Sequence, residues 1–244
     1  MNNEILQLIQ DSDKVLIGIG EAFEYTYGSF RDEAFRQLEL TDSFAADVKK
    51  LRYREEHPDG RVVEAYNRLF DMVSDKDYFV VTTCMDDRIY ESHFPKDRIV
   101  APCGTYRYLQ CSSGETEECK QKLLPFTMET PDNNKQLTCP VCGKPLCFNH
   151  IFNAYYNEGG YQAKWAEYRN WLQFTINKKL CILELGVSLK FPNVIRWPFE
   201  KVGFYNQKAS FIRVHETLYQ LTEELGNKGI SVKENPIDFL LLDR

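Results

Sequence analysis

The segment Lys14-Val15-Leu16-Ile17-Gly18-Ile19-Gly20 is a short apolar run that leads directly into glycines. Such a run is typical of a strand in a parallel sheet, where both faces are buried. Glycines at its end let the phosphates of a ligand approach the backbone, and the N–H groups of a following helix face their charge. A simple tight turn uses the same two glycines, so the segment predicts a strand and leaves the binding loop to be supported elsewhere.

Further apolar runs continue this pattern along the chain. We predict strands at 78–83, 97–102, 179–186, 194–198 and 210–215, and helices at 59–74, 162–177 and 199–206. The first helix carries apolar residues from Val62 to Val73 at three- and four-residue spacing, so one of its faces packs on the sheet. Strands that alternate with helices in this way predict an α/β fold with a Rossmann-like, doubly wound parallel sheet.

A second informative segment is Cys139-Pro140-Val141-Cys142-Gly143. Two cysteines separated by two residues and followed by glycine form the tight knuckle that wraps a tetrahedral zinc ion. Cys111 and Cys119 are the natural second pair of ligands. Because their spacing is looser, Cys147 or His150 remains open as the fourth ligand in place of Cys119.

The cysteine-rich region, roughly 106–160, lacks a long periodic segment, and metal coordination supplies folding free energy to such a region. We predict a small zinc-binding module at 106–159, inserted into a Rossmann-like domain formed by 1–105 and 160–244. Unrelated thiols, or a redox pair in the knuckle, are the alternatives. Redox chemistry favours the start of a helix after a strand, whereas a polar stretch precedes this knuckle. Residues 227–244 form a terminal extension whose apolar side chains dock on the body.

The composition places limits on location and partners. The chain has 244 residues, of which 43% are hydrophobic and 27% are charged, and its net charge is -6. No secretory signal and no apolar run of ~20 residues is found, so we expect a cytoplasmic protein with no membrane partner. The eight cysteines are then reduced thiols and metal ligands rather than disulfides. Without a clustered basic face, we expect no nucleic-acid partner.

The motifs at the predicted strand ends follow a defined order. The glycine loop is followed by Thr82-Thr83-Cys84-Met85-Asp86, Pro102-Cys103-Gly104, the paired cysteines, Leu185-Gly186-Val187-Ser188 and a strand ending at His215. This order resembles that of the sirtuins from about Lys14 to Glu216, and most of all the microbial branch linked to macrodomains. The resemblance implies a Rossmann domain with a small zinc module, NAD bound between two lobes, and a protein substrate. For that branch it implies protein ADP-ribosylation ahead of deacylation.

The resemblance also implies which residues hold NAD or ADP-ribose. They are Gly18, Gly20, Glu21, Ala22, Arg31, Thr82, Asp86, Gly186, Val187, Ser188 and His215. Among them, Asp86 corresponds to the acid on the nicotinamide side, and Arg31 offers a cation to phosphate or ribose. Glu21 is unusual, because a carboxylate repels phosphate unless it is turned away or paired. His215 replaces an Asn near the adenine ribose, with a strand-end residue half in solvent as the plain alternative.

Asp86, Cys103 and Cys84 are the candidate catalytic residues. Cys103 stands where the resemblance places the catalytic His, and Cys84 where it places an Asn. A thiol lacks the neutral-pH basicity of His, which argues against ordinary deacylation. Either cysteine would serve as a nucleophile or oxidation-sensitive group, or would simply fill space as a buried hydrophobe. The alternative function is a catalytically inactive module that senses NAD or ADP-ribose.

Overall fold

The computed structural model describes residues 3–24, 43–128 and 137–242. Within them the strands are β1 (Lys14–Ile19), β2 (Asp77–Thr82), β3 (Ile99–Val100), β4 (Gly104–Cys111), β5 (Leu124–Pro125), β6 (Leu146–His150), β7 (Leu180–Leu185), β8 (Ala209–Val214) and β9 (Gly229–Val232). The large sheet has the order β3-β2-β1-β7-β8-β9, and all of its pairs are parallel. The chain first builds outward from β1 to β3 and then returns to the other side of β1. The predicted doubly wound sheet is confirmed.

Helices cover both faces of this sheet. In chain order the α-helices within the described residues are α1 (Asn3–Gln10), α2 (Phe44–Glu56), α3 (Gly60–Val73), α4 (Glu117–Gln121), α5 (Gln162–Gln173), α6 (Arg196–Tyr205) and α7 (Pro236–Leu241). Of these, α2 and α4 pack on the cysteine-rich region instead. Buried residues of α1, α3 and α7 form one cluster with the sheet, and those of α5 and α6 form another on the opposite face. Neighbouring strand residues divide between the clusters, as Val15 and Leu16 do, because side chains alternate across a strand. No helix in the described ranges is both long and apolar enough to cross a membrane.

The predicted strand at 194–198 is wrong, because α6 begins at Arg196. Its apolar residues serve a helix: Ile195 and Phe199 are fully buried against the sheet. Pro198 is accommodated in the first turn, where a missing N–H breaks no intrahelical bond. A short apolar run does not by itself distinguish a buried strand from the start of a buried helix.

The terminal extension docks as predicted, but it also contains a strand. Parallel pairing of β9 with β8 completes the edge of the large sheet. Beyond it, Asn235 caps α7 by accepting hydrogen bonds from the backbone N–H groups of Ile237 and Asp238. Ile237, Phe239 and Leu240 are then buried in the same core cluster as α3.

A smaller antiparallel sheet, in the order β5-β4-β6, is built by the cysteine-rich region. Leu109 and Phe148 of this sheet share a buried cluster with Val48 and Leu51 of α2. The helix therefore covers the small sheet even though it precedes most of the large sheet in the sequence.

Candidate functional site

The carboxyl ends of β1, β2, β7 and β8 meet at one edge of the large sheet. There Gly20 N donates to Leu185 O at 2.9 Å, and Gly186 N donates to Val214 O at 2.8 Å. Because β2 and β7 flank β1 and the chain leaves them in opposite directions, the strand order reverses at this edge, which we call the crevice. In open α/β sheets, ligands bind in such a crevice, where the strand order reverses.

Two glycines are required for the loops after β1 and β7 to come together. A Cβ atom on Gly20 would lie 2.2 Å from the Cα of Val187, which is backbone and does not move aside. Gly186 has a φ of +65°, and its Cβ would lie 2.5 Å from that of Ala22. Gly18 acts differently, since its Cβ would lie 2.5 Å from Cγ2 of Ile195. The structure thus places Gly18 against α6 and leaves Gly20 and Gly186 at the crevice.

Glu21 is turned toward the loop after β7. Its Oε2 accepts a hydrogen bond from the backbone N–H of Ser188 at 3.2 Å, and its side chain is buried. Its other oxygen, Oε1, is buried without a hydrogen-bond partner among the described residues. The Glu21 carboxylate therefore accepts the backbone N–H of Ser188, which the resemblance assigns to the phosphate of the ligand. Its second oxygen remains an unsatisfied acceptor.

His215 is buried at the end of β8, so the alternative of a residue half in solvent is wrong. Its Nδ1 accepts hydrogen bonds from the backbone N–H groups of Thr217 and Leu218 at 3.1 and 3.0 Å. Burial, followed by the charge of Arg196, lowers the pKa of His215, so the ring is neutral at pH 7. Since Nδ1 is the acceptor, the proton lies on Nε2. That N–H is buried and has no partner within the described ranges.

A buried ion-pair network fixes the strands behind His215. Arg213 donates to both carboxylate oxygens of Glu184, at 2.6 and 2.9 Å, and also to Glu200 at 2.7 Å. Arg196 donates to the carbonyl oxygens of Val187 at 3.1 Å and of Leu218 at 3.0 Å. The network thus ties β7, β8 and α6 to the loops that hold the crevice. Sequence reasoning missed it, although two opposite charges within apolar strands were an available signal.

Asp86 lies past the end of β2, and its side chain is buried. Its carbonyl oxygen accepts a hydrogen bond from the guanidinium of Arg54 at 2.6 Å, and its Oδ1 accepts one from Arg88 N at 3.4 Å. Thr82 supports the same turn, because its hydroxyl oxygen accepts a hydrogen bond from Cys84 N at 3.0 Å. The predicted acid therefore lies on a turn held from both sides.

Cys84 and Cys103 are buried neutral thiols. The Cys84 thiol donates to the carbonyl oxygen of Gly20 at 3.1 Å, which places it between the ends of β1 and β2. Burial, with added repulsion from nearby carboxylates, raises the pKa of both thiols far above its ordinary value. Because the thiolate is the nucleophilic form, this environment favours the space-filling alternative for both residues.

Glu24 is an acidic residue of the site that sequence reasoning missed. Its Oε1 accepts a hydrogen bond from Met85 N at 2.9 Å, and the side chain is buried. Burial and the nearby charge of Asp86 raise the pKa of Glu24 to about 8. The three-residue spacing from Glu21 was the available signal. Arg31 lies outside the described residues.

Four cysteines meet in the small module. All of the Sγ atoms of Cys111, Cys119, Cys139 and Cys142 lie within 4.8 Å of one another. Cys111 Sγ is 3.5 Å from Cys142 Sγ, and Cys119 Sγ is 3.8 Å from Cys139 Sγ. Tetrahedral zinc with Zn–S bonds of about 2.3 Å separates its sulfurs by about 3.8 Å, so the cluster fits this ion.

The local chain geometry explains this cluster. Gly143 has a φ of +73°, and its N–H donates to the carbonyl oxygen of Cys139 at 2.9 Å, which closes the knuckle. Both alternative ligands point elsewhere. Cys147 Sγ lies 3.9 Å from the carbonyl oxygen of Gln110, and His150 Nε2 lies 3.6 Å from Asp47 Oδ2. Cys119 therefore completes the set of four.

No family model matches the sequence. One similar protein is the probable bifunctional ADP-ribose hydrolase/ADP-ribosyltransferase of Fusarium oxysporum f. sp. cubense, which is 29% identical over 153 residues. That match covers 57% of this chain, which spans only 26% of the fungal protein. Another is the protein ADP-ribosyltransferase of Staphylococcus aureus strain Mu50, which is 20% identical over 262 residues, or 93% of this chain and 82% of that protein.

Solved structures of Sir2 proteins share the fold over almost the whole chain. Sir2Tm bound to a propionylated peptide is 14% identical, with a TM-score of 0.58 and coverage of 97% of this chain and 94% of that one. A Sir2 homologue in complex with NAD is 12% identical, with a TM-score of 0.57 and coverage of 98% and 91%. At such identities the likeness shows the fold, and this chain therefore has a Sir2-like fold.

Proposed function

We propose that this chain is an NAD-dependent ADP-ribosyltransferase that modifies a protein. The observation that carries the proposal is the edge of the sheet where the chain leaves β1 in opposite directions. There Gly20 and Gly186 bring together the loops after β1 and β7, and the buried Asp86 follows β2. A dinucleotide fits a crevice at this point of a doubly wound sheet. Sequence similarity to two proteins named as ADP-ribosyltransferases supports the choice of reaction.

Each part of the crevice has a role in this proposal. NAD supplies a glycosidic bond between ribose and a cationic nicotinamide, and that bond breaks when the ribose is transferred. Asp86 would stabilise the positive charge that develops on the ribose as nicotinamide leaves, and Gly20 and Gly186 would keep the two loops close enough together to hold the pyrophosphate against their backbone. His215 would donate its Nε2–H to the adenine ribose. Catalysis would then depend mainly on the orientation of the bond that breaks.

Deacylation is disfavoured by the same geometry. It would require a base in place of Cys103, whose thiol is held neutral by burial and by nearby carboxylates that raise its pKa. A neutral thiol accepts a proton poorly at pH 7. Transfer of ADP-ribose to a protein side chain is therefore the favoured outcome.

The cysteine cluster has a structural role in the proposal. Cys111, Cys119, Cys139 and Cys142 would hold zinc with no open position for substrate, as structural zinc sites do. The ion would organise 106–159 as a module separate from the Rossmann-like parts, 1–105 and 160–244. A cytoplasmic location, with a protein acceptor and no nucleic-acid or membrane partner, is also part of the proposal and rests on composition.

The proposal is tested with purified, zinc-loaded protein and NAD. We expect the wild type to release nicotinamide, which chromatography measures. The rate of release should fall about 10²-fold or more in the Asp86→Asn variant, because a group that stabilises charge in the transition state is removed. Calorimetric titration of NAD serves as the control and should show similar affinity for both proteins. An Asp86→Asn variant as active as the wild type would contradict the role of Asp86.

A sensor without catalysis is the second candidate. It is favoured by one observation, the hydrogen bond from Ser188 N to Glu21, which occupies a backbone donor at the crevice. Tight binding of NAD or ADP-ribose without nicotinamide release would establish the sensor. Absence of both binding and release would remove NAD from the proposal.

A further inference from the structure

Glu24 lies where β1, β2 and the segment before β4 come together. It follows the short helical turn Glu21–Phe23 and is tied by hydrogen bond to Met85, the residue before Asp86. Its charge acts on Cys103 as well, since burial and then the charges of Glu21 and Glu24 raise the pKa of that thiol. Only 7% of the Glu24 surface is exposed. A buried carboxyl group is thus held at this edge of the sheet, next to the turn that carries Asp86.

Transfer of ADP-ribose to a neutral side chain or to water needs a group that accepts the proton of the nucleophile. The two thiols of the crevice are protonated, as shown above. Glu21 is directed to Ser188 after β7, and His215 follows β8, which is separated from β1 by β7. Among the acids, Glu24 is the one hydrogen-bonded to the residue before Asp86, and its pKa of about 8 lies close to neutral pH, as an efficient base requires.

The groups around Glu24 explain why its pKa lies near 8. Burial and Asp86 disfavour its charged form, whereas the hydrogen bond from Met85 N and the charge of Lys190 favour it. Other titratable groups that face it in the described structure are Glu21, Tyr66, Cys84, Cys103 and Tyr106. Among the charged groups that act on Glu24, Lys190 is the cation and Asp86 and Glu21 are acids, so the surroundings of Glu24 are acidic overall.

We propose that Glu24 is the general base of the reaction, an inference that rests on the proposed ADP-ribosyl transfer. The bond between ribose C1′ and the nicotinamide nitrogen breaks, and its electron pair remains on nitrogen, which neutralises the ring. A heteroatom of the acceptor forms the new bond to C1′. The proton of that heteroatom passes to the Glu24 carboxylate and then to solvent, so no oxidant or reductant is needed.

The test compares the wild type with Glu24→Gln, which keeps an acceptor for Met85 N but cannot take a proton. Water is the acceptor, nicotinamide release is the readout, and NAD affinity is measured by calorimetry. Because only ionised Glu24 acts, the wild-type rate should rise with pH with a midpoint near pH 8. In Glu24→Gln the rate of nicotinamide release should fall about 10²- to 10³-fold and should no longer depend on pH. Its NAD affinity should stay within about twofold of wild type. Glu64→Gln, at an exposed position of α3 away from the crevice, is the matched control and should keep the pH-dependent rise.

Azide distinguishes a base from a structural residue, because the azide anion attacks C1′ without losing a proton. Azide should restore nicotinamide release in Glu24→Gln with formation of ADP-ribosyl azide, and should flatten the pH profile of the wild type. The effect of azide on the pH profile of the wild type tests the proposal even if Glu24→Gln fails to fold.

Each adverse outcome has one meaning. A wild-type pH profile that azide leaves unchanged, or a Glu24→Gln variant with full activity in water, overturns the role of Glu24 and leaves the transferase standing. A folded Glu24→Gln that binds NAD but stays inactive with azide also overturns it. Absence of nicotinamide release from the wild type under every condition overturns the proposed function, and this inference with it.

Discussion

Glu21 lies directly after Gly20, where a negative charge would affect the binding of a phosphate. Its carboxylate accepts the Ser188 N–H and keeps a buried unpaired oxygen. A dinucleotide that binds here must either displace this carboxylate from the amide or satisfy its free oxygen with a ribose hydroxyl. These two possibilities have opposite consequences for affinity.

Glu21→Gln separates the two possibilities. We expect the variant to bind NAD about fivefold more tightly, because it removes roughly 1 kcal/mol of repulsion between the carboxylate and the pyrophosphate. Calorimetric titration measures the change, and Glu216→Gln, an exposed residue beside His215, is the matched control. Weaker binding by Glu21→Gln would show instead that the charged oxygen binds ligand hydroxyls.

At the scale of single residues, the sequence identifies chemistry but not environment. The spacing of Cys139 and Cys142 predicts a metal knuckle because the ligands are neighbours in the chain. Glu24 escapes such reasoning because its altered pKa arises from burial against Asp86, 62 positions away in the sequence. Environment of this kind is set by tertiary packing.

At the scale of elements, β7 and β8 carry a pair of opposite charges at the same register. Glu184 lies opposite Arg213 in the ladder, and both side chains are almost completely buried. A buried pair is costly to desolvate, so it is kept only with good geometry, and removal of one partner leaves an uncompensated charge. The Glu184–Arg213 pair therefore makes the junction of β7, β8 and α6 sensitive to single substitutions.

Arg213→Met tests this sensitivity. We expect the free energy of unfolding in urea to fall by about 3–5 kcal/mol, since Glu184 remains buried without its bidentate partner. The matched control is Arg61→Met, because Arg61 pairs with Asp238 at the exposed surface and such pairs contribute about 0–1 kcal/mol. The double variant Glu184→Leu/Arg213→Met should recover much of the loss. Equal effects of Arg213→Met and Arg61→Met would contradict the argument.

Elements were predictable from the sequence where their apolar pattern was long enough. The helix α3 has both a capping residue, Asp59, and an apolar face over four turns, and it matches the prediction closely. The run 194–198 was too short to reveal its period, so a helix start was predicted as a strand. The small sheet could not be foreseen either, because β4 and β6 pair across a region in which the cysteines, rather than apolar periodicity, hold the chain.

At the scale of the whole molecule, the large sheet and the small sheet differ in how much apolar packing stabilises them. The large sheet buries extensive apolar clusters on both faces, whereas the small sheet has one cluster that includes the cysteines themselves. Coordination of a structural zinc ion contributes on the order of 10 kcal/mol in small zinc-binding peptides. The two sheets should therefore respond differently to loss of the metal.

Zinc removal should loosen the small sheet while the large sheet persists. We expect a chelator to lower the hydrogen-exchange protection of β4 and β6 and to leave β1 and β7 unchanged, as mass spectrometry of proteolytic fragments would show. The Cys139→Ser variant should bind less zinc, and Cys147→Ser, with a thiol outside the cluster, should bind the normal amount. Unchanged protection of β4 and β6 in the metal-free protein would refute the structural role.

One strand joins the two chemical centres. The residue Cys103 stands at the crevice, β4 begins at Gly104, and the strand ends at the ligand Cys111, with a break in its pairing between Thr105 and Leu109. The strand is about 25 Å long, its pairing is interrupted near the crevice, and its other end lies in the cysteine cluster. We therefore expect a disturbance of the cysteine cluster to reach Cys103 as well, because a single strand leads from one to the other.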